Sequence, residues 1–583
     1  MQMMVKGPAL PLKFAGCSPD ELLDSGDWAW HDMNTAQKAP EGALAVWSFN
    51  GKSERWATGQ SFLLEAEGLA PCEIRIEEPL RSISAVTFLS SDNALNPDTV
   101  LIHLENRSSN TLLIRGARFW LPREATSWQV LWPEPVVSLS GSIPPDDKGF
   151  VRVKRPGLPL TYTALELITD QGTMWAHLRI KPETFDISGG WVGGHVIHPE
   201  FLQLLTHLHV NTGHFGEVAG YTDNPELYQQ WPLKLFNRLT PISKYDTEEW
   251  LPKIHAVEFL GEPQYGGGTP VPPQKVFDEL LPYRASRLPT TVTHSEERIW
   301  RWYAGLSDYP HYDAYRVVAP SADSWRLYDR WGGRTIRWGA PLETIGEMCR
   351  SLRELNRPMP CAYWSQGPHH GWGGGFDGRR RRSPTPEELR AQAMHALSTR
   401  ITSLYWFNLS LKSLMKYPDT WEPMTRIGRE IRMLEPFFLE GDAYRFERKM
   451  SDQGSPDWDL ASIGAPDAAV LFALDLAYAP DPQENVFRFP PPREVQFHFR
   501  LPPWLRDPKD VFRVDADGLH EVEWQPENLG VTIRDRQSAD AIYIATPLPQ
   551  IRQSISQRLQ KALDREADNP INRQALTALY EQP

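Results

Sequence analysis

"HAVEFLGEPQYGGG", residues 255–268, is the stretch on which the reading of this chain turns. Apolar residues alternate with others up to Gly261-Glu262-Pro263, and three glycines follow Gln264 and Tyr265. Alternation with period two reads as a strand. Proline brings no N–H to a ladder, so pairing ends at Pro263. The glycines after it let the chain turn away and leave room for a ligand. A carboxylate, Glu262, is thereby carried to the end of a strand.

Outward from this point the same rhythm repeats. From about residue 186, short apolar strands alternate with helical stretches, the pattern of a parallel sheet. Eight strands are predicted: 189–196, 210–218, 233–239, 254–263, 288–295, 311–317, 359–367 and 401–408. The clearest helices between them are "PEFLQLLTHLH", "TIGEMCRSLRELN" and "TPEELRAQAMHALSTR". The last opens with Thr385, Pro386 and Glu388, the composition of a capping box with proline at the first helical position. Eight such units close into a (β/α)8 TIM barrel over 186–440. On either side the patterning is β. Residues 1–185 form an N-terminal β-sandwich whose first ~70 residues are partly irregular, with strands around a turn at Asn106–Asn110 and a hairpin turning at Asp170-Gln171-Gly172. A second β-sandwich occupies 441–547, and 548–583 is a helical tail packed on the body.

The bulk numbers agree with a large multidomain globular chain. It has 583 residues, 41% hydrophobic and 23% charged, with Gly 40 and Pro 52 for its many turns. Its net charge of −13 argues against nucleic acid as a partner, since phosphate binding needs a basic surface. No apolar run is long enough to span a membrane. "MQMMVKGPALPLKF" lacks the apolar core of a signal peptide, so the chain reads as cytoplasmic as written, or as secreted or periplasmic if a signal was trimmed. Cys17, Cys72, Cys349 and Cys361 lie far apart and read as buried free thiols. No metal and no cofactor is expected: His207 and His209 are two apart on a helix, and there is no HExxH. No GxSxG elbow supports a serine esterase. The oligomeric state is left open.

In barrels of this kind the active site lies at the C-terminal ends of the strands. A carboxylate there stands in a partly dry cleft, which raises its pKa and suits a general acid. A strand-four Gly261-Glu262-Pro263 in a barrel flanked by β-sandwiches resembles the clan-A-like glycoside hydrolase superfamily. The stretch "SPTPEELRAQAMHALSTRITSLYWFNLS" resembles the seventh helix and eighth strand of those barrels. The resemblance covers residues 186–440 in pattern. It implies a glycosidase acting on an oligo- or polysaccharide, with Glu262 as acid/base. Two positions depart from the superfamily: Gly261 stands where Asn usually precedes the glutamate, and Gln366 stands where strand seven would carry the nucleophile.

A second carboxylate must therefore come from elsewhere, since glycosidic cleavage generally uses two. Asp313, sharing a strand face with His311 and Tyr315, is the first choice; Asp308 and Glu217 are the alternatives. Glu258 lies on the face of Glu262 and reads as a paired interior charge. Sugar-binding partners at the strand ends are Trp191, His214, Tyr265, His294, Tyr315, Trp364, Gln366, His369, Trp372, Trp406 and Asn408, with His195, Asn237 and Arg238 nearby. Aromatic platforms with hydroxyl partners are what a sugar site needs. The loop 367–384 adds Phe376 and four arginines, Arg379–Arg382, a set suited to a uronate or sulfate group. The alternatives are a non-catalytic carbohydrate-binding protein on a degenerate barrel, and a substrate-assisted hexosaminidase-like enzyme, which Gly261 disfavours by removing an Asp–Glu pair.

Overall fold

The computed structural model describes residues 80–91, 95–124, 127–130 and 141–582 except 260, 264–270, 296–299, 314, 318–339, 370–382, 482 and 485, together with the short segments 2–6, 12–15, 30–31, 44–49, 61–66 and 70–75. Eight parallel strands close in chain order into a barrel: β1 (Asp186–Gly190), β2 (Thr212–His214), β3 (Lys234–Asn237), β4 (Ile254–Glu258), β5 (Thr290–His294), β6 (Tyr309–Asp313), β7 (Ala362–Gln366) and β8 (Ser403–Phe407). Each expected strand is present but shorter than its apolar pattern. The expected strand over 254–263 ends at Glu258, and the one over 189–196 ends at Gly190, followed by a 3-10 turn over Gly193–Ile197. Residues beyond the ladder, such as Val192 and Pro263, are still buried, so the apolar pattern outlasts the pairing.

The chain divides into two compact units, Met1–Glu183 with Arg238–Pro310 and Arg353–Pro360, and Thr184–Asn237 with His311–Leu352 and Cys361–Pro583. In the first, a sheet of the strands Arg81–Leu89, Thr99–Asn106 and Asp147–Lys154 and a sheet built on Leu112–Glu124, Thr161–Thr169 and Gly172–Ile180 share one core. Val86, Phe88, Ile102 and Leu104 come from one sheet, and Phe119, Leu165 and Leu167 from the other. The turn at 106–110 does not close a hairpin: its two strands belong to different sheets. Asn106 fixes that crossing, its buried Nδ2 donating to the carbonyls of Asn110, Ile143 and Pro144 at 2.9, 3.1 and 3.0 Å. The hairpin at Asp170-Gln171 forms as expected, with Thr169 opposite Gly172.

A second core of this unit joins Trp120, Tyr162 and Ala164 to Val276 and Phe277 of helix α1 (Pro273–Leu280) and Val292 of β5. Beneath it Arg179, 1% exposed, donates from Nε to Asp308 Oδ2 at 3.1 Å and from Nη2 to the Tyr283 carbonyl at 3.1 Å. The same Asp308 oxygen accepts from the Thr290 N–H at 2.8 Å and its hydroxyl at 3.0 Å.

In the second unit, helix α2 (Glu343–Asn356) begins within it, and α3 (Pro386–Leu397) carries the expected capping box, with Thr385 accepting from the Glu388 N–H. Helix α4 (Trp421–Glu440) follows the barrel. Two antiparallel sheets then enclose a core of Trp458, Leu471, Phe497, Val531 and Tyr543. The tail forms α5 (Gln550–Asp568) and α6 (Arg573–Tyr580). Helix α5 is held by Glu566, which accepts from Arg429 Nε at 2.7 Å and lies 2.8 Å from His209 Nε2. Among the described residues no helix is long and apolar enough to cross a membrane.

This attachment is acid-labile in a stated direction. Burial pushes the His209 imidazole down to about 4 from 6.5. Burial raises the Glu566 carboxyl, but the hydrogen bonds from Arg429 and His209 outweigh it and bring it down to about 2 from 4.5. Both groups bind more protons in the unfolded chain. Stability therefore falls with pH between about 6.5 and 4 for His209 and between about 4.5 and 2 for Glu566. Urea unfolding of the wild type is expected to weaken from pH 7 to pH 5, and His209→Gln to flatten that slope; an equal slope in both chains speaks against the assignment.

Candidate active site

In the first unit the site is built on the end of β4. Glu258 is the last residue of the strand, 8% exposed and in register with Thr291 of β5. Beyond it Gly261 adopts φ +63°. A Cβ there would meet nothing within 4 Å, so the left-handed backbone is what calls for glycine. The Gly261 carbonyl accepts from the Thr293 N–H at 3.2 Å, which straps this turn to β5. Glu262 follows, half-buried. Its carboxyl is held above the ordinary glutamate range, first by burial and further by the charge of Glu258, against a hydrogen bond from Ser295. Glu262 thus sits four residues past the strand end rather than on it, and Glu258, expected as an interior charge, is the strand-terminal carboxylate whose field it feels.

Two other expectations for this unit are revised. Asp308 precedes β6, at the N-terminal end of the strand, where its carboxylate is committed to Arg179 and Thr290. It starts the strand as a buried ion-pair partner and is removed from the catalytic candidates. His294 is fully buried at the end of β5, and burial pushes its imidazole down to about 3, so it is a neutral wall. Arg238 is exposed.

In the second unit the parity of the strands decides which side chains meet. On β6, β7 and β8 the residues His311, Trp364 and Tyr405 share one cluster. The His311 ring lies 4.8 Å from that of Tyr405, with Nε2 3.3 Å from the hydroxyl, and the Trp364 ring lies 4.9 Å from Tyr405. Phe236 of β3 stacks on Tyr405 at 5.5 Å, and His214 of β2 stands edge-on to Trp364 at 6.2 Å. By alternation, Asp313, Gln366 and Phe407 continue the same face toward the strand ends. Trp406 has the opposite parity and is 1% exposed, so it is core and not the platform expected. Phe407, which sequence reasoning passed over, takes that place. Trp364 lies 6.2 Å from its ring, Trp191 6.1 Å, Tyr315 5.2 Å and His369 5.3 Å.

Trp191 is held at φ +60° directly after β1 and is 59% exposed. The chain approaches closely here: a Cβ on Gly190 would come within 3.0 Å of Trp364 and 3.3 Å of Phe407. Asp313 is partly exposed at the end of β6. Gln366 is fully buried, with its N–H donating to Gln392 of α3 at 3.1 Å. Asn408 is spent on a turn, its Oδ1 accepting from the N–H and hydroxyl of Ser410 at 3.0 and 2.9 Å. Asn237 is half-buried at the end of β3. Glu217 is exposed, three residues past β2, and His195 lies exposed in the 3-10 turn after β1. Tyr265, Trp372, Phe376 and Arg379–Arg382 lie outside the described residues. Cys349 and Cys361 are buried free thiols.

No family model and no curated protein matches this sequence. Solved structures resemble it in fold. A cycloisomaltooligosaccharide glucanotransferase from Paenibacillus sp., complexed with cycloisomaltoheptaose, shares 8% identity at a TM-score of 0.37, over 79% of this chain and 99% of that one. A family 51 alpha-L-arabinofuranosidase from Bifidobacterium longum shares 10% at 0.33, over 62% and 96%. A beta-D-glucuronidase of Dictyoglomus thermophilum shares 11% at 0.26, over 70% and 82%.

Proposed function

We propose that this chain is a glycosidase that cleaves a glycosidic bond in an oligo- or polysaccharide, with Glu262 as the proton donor. The observation that carries this reading is the Glu262 carboxyl on the turn after β4, which burial and the charge of Glu258 hold above the ordinary glutamate range. A glycosidic oxygen is a poor leaving group and needs that proton as the bond breaks. Asp313, on the face of its strand that bears His311, is the second carboxylate of the proposal. Trp191 and Phe407 offer the flat apolar rings on which sugar C–H faces stack. The arginines at 379–382 favour a substrate with uronate or sulfate groups.

A second reading, a carbohydrate-binding protein without turnover, is favoured by the buried amide of Gln366 where a carboxylate nucleophile would stand. Reducing-end release from a polysaccharide library, uronate-containing and sulfated polymers included, separates the two. Turnover by the wild type, lost in Glu262→Gln with binding kept, is the expected result. Binding without cleavage of any polymer supports the second reading.

A further inference from the structure

The turn that carries Glu262 lies past the end of β4, so strand pairing does not hold it. Its two chain neighbours do. The Gly261 carbonyl accepts from the Thr293 N–H, and the Pro263 carbonyl accepts from the Val271 N–H at 2.8 Å. Proline has no N–H, so that carbonyl is the one backbone hydrogen-bonding group Pro263 can offer. Val271 is held in turn. Its carbonyl accepts from the Tyr303 hydroxyl at 2.6 Å, so both of its backbone groups are bonded in this one place. Tyr303 closes the 3-10 helix Trp300–Tyr303 and is fully buried. Burial raises its phenol well above the ordinary value, so it remains a donor across the working range of an enzyme.

The side chains lead to the same place. Val271 and Phe259, the residue after Glu258, pack against the core that Tyr303 shares with Trp120, Tyr162 and Ala164 of the N-terminal sheets. Trp175 packs on it as well, its ring 6.1 Å from that of Trp120. The N-terminal sandwich thus reaches the Glu262 turn through Val271. Placement is what a proton donor needs most: a displacement of about 1 Å can cost about 10²-fold in rate.

We propose that Tyr303 is a positioning residue for Glu262, holding it in its half-buried setting through Val271 and Pro263. That Glu262 is the proton donor rests on the reading above; the hold on Glu262 is tested without turnover. The Glu262 carboxyl is titrated by carbon-13 NMR of the full chain labelled at glutamate, its signal being the one missing from Glu262→Gln. Glu258 and Ser295 face it and are unchanged in the variants. Tyr303→Phe keeps the ring and removes the tie. Water then reaches Glu262, and since burial is the largest cause of its raised value, the midpoint is expected to fall by about half a pH unit or more. Val271→Ala loosens the same turn from its other side, is expected to act in the same direction, and serves should Tyr303→Phe fail to fold. Tyr221→Phe is the control. In the second unit the Tyr221 hydroxyl donates to the Trp231 carbonyl and accepts from the Leu233 N–H, both at 2.8 Å. Loss of those buried bonds is expected to leave the Glu262 midpoint where it was. On a glycoside with a sugar leaving group, Tyr303→Phe is expected to lower kcat about three- to tenfold with KM nearly kept. An unmoved midpoint in the folded variants, or an equal fall in Tyr221→Phe, would overturn the positioning role. A lowered midpoint in a chain whose turnover survives Glu262→Gln would support that role and overturn the reading of Glu262 as the acid.

Discussion

Arg179→Leu is expected to destabilise the first unit by about 3–5 kcal/mol, among the larger losses a single side chain can cause. Arg179 and Asp308 are 1% and 3% exposed, so removing the cation leaves a carboxylate with no water to replace it. The carbonyls of Tyr283 and Ser286 lose their donor as well. Thr290 continues to donate to Asp308 but neutralises nothing. Asp308→Asn in the same chain removes the stranded charge, so the double variant is expected to be more stable than Arg179→Leu alone. Urea unfolding of the four chains measures this; a single-variant loss under about 1 kcal/mol would mean that the pair is not held as described. The consequence reaches the site, because Thr290 begins the strand whose Thr293 straps Gly261, and Glu262 comes next.

Glu262→Gln is expected to lower kcat by about 10²–10⁴ while leaving substrate binding nearly intact, the range that general-acid catalysis supplies. An amide keeps the shape and the hydrogen bonds but has no proton to give. Glu258→Gln tests the cause of the raised carboxyl. With the neighbouring charge gone, the Glu262 pKa falls, so its protonated form is lost at lower pH. The alkaline limb of kcat/KM then moves toward acid, by less than the whole shift, because burial remains the larger cause. An unmoved limb would assign Glu258 a packing role.

The barrel was legible because its signal is repeated: eight apolar segments, helices between them and a capping box at Thr385. Strand ends were less so. Val192 and Pro263 are buried outside any ladder, and hydrophobic pattern reports burial, not pairing. The spacing puts Glu258 and Glu262 on one strand face, but the strand stops at Glu258, and Glu262 follows a left-handed Gly261. The choice of Trp406 over Phe407 was a parity error on a strand where both residues are aromatic and alternation gives no contrast. Asp308 lies just upstream of the sixth strand, as its sequence context suggests, but its ion pair is not legible: its partner, Arg179, is 129 residues away and carries no local sign. The turn at 106–110 has the composition of a hairpin, yet its strands lie in separate sheets, where Asn106 bonds to the distant carbonyls of Ile143 and Pro144.

The central claim is that Glu262 delivers a proton to the leaving oxygen. It is tested most directly by assaying Glu262→Ala on two glycosides of the sugar found to be cleaved, one with a sugar leaving group and one with 2,4-dinitrophenolate, which departs without protonation. The account predicts a loss of about 10²-fold or more on the first and little loss of the bond-breaking step on the second. Equal losses on both would contradict it.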